Sequence, residues 1–414
     1  MDNLKIIRGG VCAPVGFSAA SVRVGIKKSA PSTKKDLTII VSEADCVAAA
    51  VFTSNKVKGA PITVSKAHLE SDKSAIRAII ANSGNANTCN ANGVQIAEDA
   101  CGVAAKSLKI RKEQVLIAST GVIGQSMTID PFANGLPVLA DELAHSAAAA
   151  SDVAHAIMTT DTVKKEISLE FEVGGVTAHI GGCCKGSGMI NPNMATLLVF
   201  VTTDVNIRSD VLQNILTHVT KKTFNRVSID GDTSTNDTVF VLANGLAANE
   251  PITDANSEYA HTFYVALFEV MLNLAEAVAA DGEGATKLIT CRVYNAPDGE
   301  VADKVAKSVV SSNLLKAAIF AADANWGRIL CAIGNADADF PSDNIDVIIT
   351  SLSGGVGICK ASGGIPFDED EAARVLSEKE ITIAVNLNSG EADGLAFGCD
   401  LTYDYVKINA EYRT

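Results

Sequence analysis

The stretch Gly181-Gly182-Cys183-Cys184-Lys185-Gly186-Ser187-Gly188-Met189-Ile190-Asn191-Pro192-Asn193-Met194-Ala195-Thr196 runs directly into Leu197-Leu198-Val199-Phe200-Val201. A glycine-rich loop thus meets an uninterrupted apolar run. A strand that is apolar at every position has both faces covered, so a layer must lie on each side of its sheet. Other β-branched runs, Thr38-Ile39-Ile40-Val41 and Ile345-Asp346-Val347-Ile348-Ile349, alternate with Ala-rich helical patterns such as His145 to Ala156. The expected fold is α/β (α+β), with layered sheets and helices outside them.

The chain has 414 residues, 47% of them hydrophobic, enough for a large core and more than one domain. No repeat or linker divides it, and the turn-rich Tyr294-Asn295-Ala296-Pro297-Asp298-Gly299 is the best boundary. A large domain over 1–293 and a smaller C-terminal α/β domain over 300–414 are expected.

A formal charge of -14 argues against nucleic acid and anionic membranes as partners, because both require clustered Lys and Arg. The apolar stretch Tyr264 to Ala280 is interrupted by Glu269 and Glu276 and reads as short of a bilayer span. The first residues, Met1 to Gly10, lack an apolar core after a basic segment, so no secretory signal is expected and a cytoplasmic location is. Ten cysteines in such a chain read as reduced thiols. Cys183, Cys184 and His179 lie close together, but no Cys-x-x-Cys pair completes a metal site, and none is expected.

Several familiar chemistries fail on order or spacing. A phosphate loop needs Gly-Lys-Ser/Thr, whereas Lys185 precedes Gly186. Gly354, Gly355 and Gly357 do not fit a dinucleotide loop. No G-x-S-x-G elbow occurs, and no histidine sits in a triad signature. A hydroxyl nucleophile has another route to activation, its own α-amine, if the chain is cut just before it. That amine has a pKa near ~7.7 to 8.0 and accepts a proton at physiological pH. On pattern alone, however, Thr196 is an ordinary strand residue.

The case for chemistry at Thr196 comes from resemblance. Lys185-Gly186-Ser187-Gly188-Met189-Ile190 with Met194-Ala195-Thr196, Asp230-Gly231-Asp232-Thr233-Ser234-Thr235-Asn236-Asp237-Thr238, Asn325-Trp326-Gly327-Arg328-Ile329-Leu330 and Cys399 to Tyr412 resemble, in order, signatures of the ornithine acetyltransferase (glutamate N-acetyltransferase) family of arginine biosynthesis. Gly9-Gly10, Ala13-Pro14, Gly16-Phe17, Asn82-Ser83-Gly84-Asn85-Ala86-Asn87 and Ser119-Thr120-Gly121-Val122-Ile123-Gly124 extend the resemblance over nearly the whole chain. Val15, Ala324 and Phe397 depart from residues common in that family.

The resemblance implies an α/β/β/α sandwich of the self-processing N-terminal-nucleophile type. It also implies self-cleavage between Ala195 and Thr196 into chains 1–195 and 196–414 that stay associated as an oligomer. Thr196 would then carry acetyl from N2-acetylornithine to glutamate in a ping-pong cycle. Thr120 and Gly121 would stabilise the oxyanion, and Thr159, Lys185, Thr196, Glu283, Asn409 and Thr414 would bind substrate. No cofactor is implied; acetyl-CoA stays open as a second donor. Two rivals remain: a self-processing amidase or aminopeptidase, with water as acceptor, and a non-catalytic ligand-binding relative. Outside the resemblance, Lys185 reads as a solvated loop charge, Glu283 as surface punctuation, and Trp326 as a packing anchor.

Overall fold

The computed structural model describes residues 4–27, 31–191 and 197–411. The first part of the chain forms β1 (Lys5–Ile7), β2 (Phe17–Val22), β3 (Leu37–Phe52), α1 (Ala60–Asp72), β4 (Ile76–Asn82), α2 (Gly93–Leu108), β5 (Val115–Ser119), α3 (Asp130–Asp141) and α4 (Ala147–Ala156). It continues through β6 (Lys165–Val173), β7 (Val176–Lys185), β8 (Leu198–Thr203), α5 (Ser209–Lys222), β9 (Val227–Ser228), β10 (Thr238–Ala243) and α6 (Glu258–Ala280). Among the described residues these strands, without β9, make a nine-stranded sheet ordered β1-β6-β7-β8-β10-β3-β4-β5, with β2 also on β3.

That sheet folds over on itself at β3. Residues Leu37 to Val41 pair with β4 and Val47 to Phe52 pair with β10, and the register shifts between Val41 and Cys46. Such an irregularity bends a strand and lets one strand serve two layers. The two halves then face each other: Ile79, Ala81, Leu116 and Ala118 of one pack with Cys183, Leu198, Phe200, Phe240 and Leu242 of the other. The intervening residues point outward. Ile80, Val115 and Ile117 meet α1, α2 and α3, while Val199, Val201, Val239 and Val241 meet α5 and α6. Strand side chains alternate faces, so this assignment is an α/β/β/α sandwich. Phe200 and Phe240 stack at 6.1 Å between the sheets, each fully buried. Burial of each such ring stabilises the fold by about 1.5–3 kcal/mol.

The helix α6 is 23 residues long and, by length and composition, apolar enough to cross a membrane, contrary to the expectation from Glu269 and Glu276. Glu269 and Glu276 are simply too few to break the apolar stretch that follows Tyr264 in this helix. Its apolar face, including Phe263, Leu267, Val270, Met271 and Leu274, is buried in the core beside the first sheet.

The rest of the chain forms β11 (Leu288–Ala296), α7 (Gly299–Ser311), α8 (Asn313–Phe320), α9 (Trp326–Gly334), β12 (Asp346–Ser351), β13 (Gly354–Lys360), β14 (Gly363–Gly364), α10 (Glu369–Leu376), β15 (Glu380–Asn386), β16 (Ala392–Cys399) and α11 (Tyr403–Glu411). Its seven-stranded sheet is ordered β14-β13-β12-β15-β11-β16-β9 and has its own core with α7 to α10. Tyr294 to Ala296 of the turn-rich stretch finish β11, and Asp298 caps α7 by accepting from Glu300 N and Val301 N. β9 joins this second sheet by pairing Val227 with Phe397. Asn325 caps α9, and Trp326 packs against Gly364, where a Cβ would lie 2.5 Å from the ring.

Candidate active site

One end of the sandwich gathers the loops that hold the candidate residues. β7 ends at Lys185, β8 begins at Leu198 beside it, and β10 begins at Thr238 in parallel register with Leu198. β4 and β5 run parallel and finish together at Asn82 and Ser119. The glycine-rich loop therefore opens onto the ends of both layers. Ala195 and Thr196, the expected cleavage pair, and Thr414 lie outside the described residues.

The chain on either side of that pair is held by one loop. Before it, Met189 N and Ile190 N donate to the Asp230 carboxylate at 2.5 and 2.9 Å, Asn191 Nδ2 donates to Gly231 O, and the Thr233 hydroxyl donates to Asn191 O. After it, Leu197 N donates to Asp237 Oδ1 at 2.9 Å and Thr238 N donates to Leu197 O. The next residue back, Asn236, donates through Nδ2 to Ser119 O at 3.0 Å and Ala86 O at 2.6 Å. These bonds bring the turn at Thr120 and Gly121 to the loop that holds Leu197.

That turn is built so that its donors stay available. Thr120 N is taken by Asn82 O at 3.0 Å, but neither the Thr120 hydroxyl nor Gly121 N hydrogen-bonds to another described residue. Gly121 has φ +127°, and a Cβ there would lie 2.4 Å from the Gly84 carbonyl carbon, so only glycine fits. A free hydroxyl and a free N–H on adjacent residues suit an oxyanion.

Lys185 is not a solvated loop charge. It is 2% exposed, and its ammonium lies 3.8 Å from Asp161 Oδ2. Asp161 also accepts from Thr159 N, Gly186 N and Lys165 Nζ, the last at 2.8 Å. Lys165 in turn reaches Asp281 Oδ2 at 2.6 Å, and Asp281 accepts from Thr162 N and from the Thr162 hydroxyl. Two lysines and two aspartates thus form a formally neutral buried cluster. Burial alone would raise Asp161, but Lys185 and Lys165 outweigh it and hold the carboxyl well below the usual range. Burial would lower Lys165, yet Asp161, Cys184 and Asp281 raise it.

Glu283 is 9% exposed and hence no surface punctuation. Its N–H donates to Ser187 O at 2.9 Å, two residues beyond Lys185, and its carboxylate accepts from Asn409 Nδ2 at 2.7 Å. Gly188 leaves room for it: a Cβ there would lie 2.4 Å from either carboxylate oxygen. Thr159 borders a pocket of about 420 Å³ shared with Asp161, Lys34, His155 and Met158. A buried cation, a buried anion and a pair of unspent donors therefore surround the loop.

Sequence reading passed over Asp161, Lys165 and Asp281, and gave the Asp230 to Thr238 block no role. Nothing in the sequence says that Lys165 and Asp281, charges 116 residues apart, meet. Cys183 and Cys184 face different cores, and His179 pairs with Asp204 at 2.8 Å. Among the described residues no three His, Cys, Asp or Glu side chains gather to hold a metal ion.

The ArgJ family matches residues 18–414. An arginine biosynthesis bifunctional protein from Symbiobacterium thermophilum is 46% identical over 412 residues, covering 99% of this chain and 100% of that protein. A crystal structure of such a protein from Bacillus halodurans is 47% identical, covers 51% of this chain and 97% of its own, and has a TM-score of 0.48. Ornithine acetyltransferase from Mycobacterium tuberculosis, solved with ornithine, is 32% identical, covers 46% of this chain and 98% of its own, and has a TM-score of 0.41.

Proposed function

Because this chain belongs to the ArgJ family, we propose that it transfers acetyl from N2-acetylornithine to glutamate in arginine biosynthesis, through an acetyl ester on Thr196. The bifunctional relatives support a second activity, acetylation of glutamate from acetyl-CoA. One observation carries the substrate assignment: Lys185 and Glu283, a buried cation and a buried anion, flank the same loop. Lys185 suits the α-carboxylate that acetylornithine and glutamate share, and Glu283 suits the side-chain ammonium of ornithine.

The chain is first cut between Ala195 and Thr196, giving chains 1–195 and 196–414. The new α-amine of Thr196 then takes the hydroxyl proton as the oxygen attacks the acetyl carbon. The Thr120 hydroxyl and the Gly121 N–H receive the developing oxyanion, worth about 3 to 4 kcal/mol for a well-aimed donor. Ornithine leaves, and the amine of glutamate attacks the acetyl ester in the same geometry. Thr159, Asn409 and Thr414 complete the substrate site. The enzyme works in the cytoplasm as an oligomer of cleaved chains.

Intact mass under denaturing conditions tests the cut, and acetyl transfer to glutamate from each donor tests the chemistry. Two fragments that part before Thr196, with acetylglutamate formed from acetylornithine, are expected. Acetate release without acetylglutamate would replace the transferase by an amidase.

A further inference from the structure

Turnover and self-cleavage place different demands on a base. In the mature protein the α-amine of Thr196 serves, but in the uncut chain that nitrogen is a peptide amide with no useful basicity. Another group must take the hydroxyl proton. None of the six histidines hydrogen-bonds to the loops at 186–191 or 230–238 among the described residues.

Resting on the cleavage reading above, we propose that Asp237 is the proton acceptor that starts self-cleavage. Its Oδ1 is fixed by the Leu197 N–H at 2.9 Å, so the carboxyl is anchored to the residue that follows the nucleophile. Its Oδ2 is buried and has no hydrogen-bond partner among the described residues, an unusual state for a carboxyl that is 1% exposed. The backbone on both sides is tied down, because Asp237 O accepts from Thr53 N and Asn236 spans to Ser119.

Burial pushes the Asp237 carboxyl well above its ordinary range, which makes its anion a stronger base. The Leu197 N–H and the charge on Lys185 oppose this and favour the anion. These groups come from the residue before β8 and from the end of β7, beside the start of β10.

The step balances without an outside reagent until its last stage. Oδ2 takes the proton from the Thr196 hydroxyl as that oxygen bonds to the Ala195 carbonyl carbon, whose π pair moves onto its own oxygen. The tetrahedral adduct collapses, the bond from Ala195 carbon to Thr196 nitrogen breaks, and the nitrogen takes the proton back from Asp237. An ester and a free amine result. Water then opens the ester, leaving the Ala195 carboxylate and the restored hydroxyl.

The test times cleavage of freshly synthesised full-length chain by intact mass, from about pH 5.5 to about pH 9, where a positioned base contributes ~100-fold or more. Wild type cuts at a rate that rises with pH and levels off once Asp237 has lost its proton. Asp237→Asn keeps an oxygen for Leu197 N but cannot accept a proton. It is expected to cut at least ~100-fold more slowly, with the residual rate rising about tenfold per pH unit as hydroxide takes over. Asp237→Glu keeps a carboxyl at this position, so its rate should again level off at high pH. Asp237→Asn cut at the wild-type rate overturns the proposal; if that variant does not fold, an Asp237→Glu chain whose rate keeps rising about tenfold per pH unit without levelling, as cutting by hydroxide does, overturns it. An uncut wild-type chain would instead sink the cleavage reading itself.

Discussion

The side-chain amide of Asn409 donates to the carboxylate of Glu283 at 2.7 Å, joining α11 to the loop after α6 across 126 residues. No side chain of α11 is buried, so this helix has little apolar packing to hold it. A hydrogen bond to a charged group contributes about 1.5–3 kcal/mol. Asn409→Ala should therefore raise KM for N2-acetylornithine by ~10-fold or more while leaving chain cleavage complete. Steady-state kinetics and intact mass check both halves; an unchanged KM would remove Asn409 from the substrate site.

Gly188 offers a way to move Glu283 without removing it. A methyl at that position would overlap the carboxylate, which is the far end of a flexible side chain and can swing aside. Gly188→Ala should fold with a melting temperature close to wild type but lose activity by ~10-fold or more, as remote misplacement of a positioning group does. Loss of the fold instead of the activity would show that the loop backbone, not Glu283, sets the limit.

The cluster around Lys165 sets the pH range of stability. The pKa of Asp161 is depressed in the folded state, so its contribution is complete above the unfolded value of about 3.9 and is lost as pH falls through the folded value. The pKa of Lys165 is raised, so its contribution is complete below the unfolded value of about 10.4 and is lost as pH rises through the folded value. Stability from the cluster should thus be level between about pH 4 and about pH 10. Lys165→Met leaves two buried carboxylates without their shared cation and should cost about 3–5 kcal/mol at neutral pH. Urea midpoints across that range measure it.

Much of this was legible in the sequence. The all-apolar run at Leu197 to Val201 announced a strand covered on both faces, and Phe200 and Val201 indeed point into two different cores. Family resemblance supplied Lys185, Glu283 and Asn409, which the fold brings to one loop or its support. What stayed hidden was long-range pairing. Asp161 and Asp281 meet only because Lys165 begins the strand beside β7, and Asp237 acquires meaning only through its bond to Leu197. A local pattern carries burial and periodicity but not the partner of a charge. Composition alone is equally ambiguous for α6, whose apolar length suits a core helix as well as a bilayer, and whose apolar face is buried in the core.

The sheet order makes a final prediction about the two chains that the proposed cleavage would create. Chain 1–195 supplies β1, β6 and β7 on one side and β3, β4 and β5 on the other, while β8 and β10 of chain 196–414 lie between them. β8 pairs with β7 from Lys185↔Leu198 to Ile180↔Thr203, and β10 pairs with β3 from Thr238↔Phe52 to Ala243↔Val47. Both inserted strands are buried at every position. Separation would therefore strip two full ladders and open both the inter-sheet core and the core beneath α5 and α6, which amounts to unfolding. The fragments should co-elute at every dilution in native buffer and part only where the circular dichroism signal is lost. Size exclusion over a urea series checks this, and fragments that separate while still folded would mean that the strands of 196–414 are not interleaved with those of 1–195.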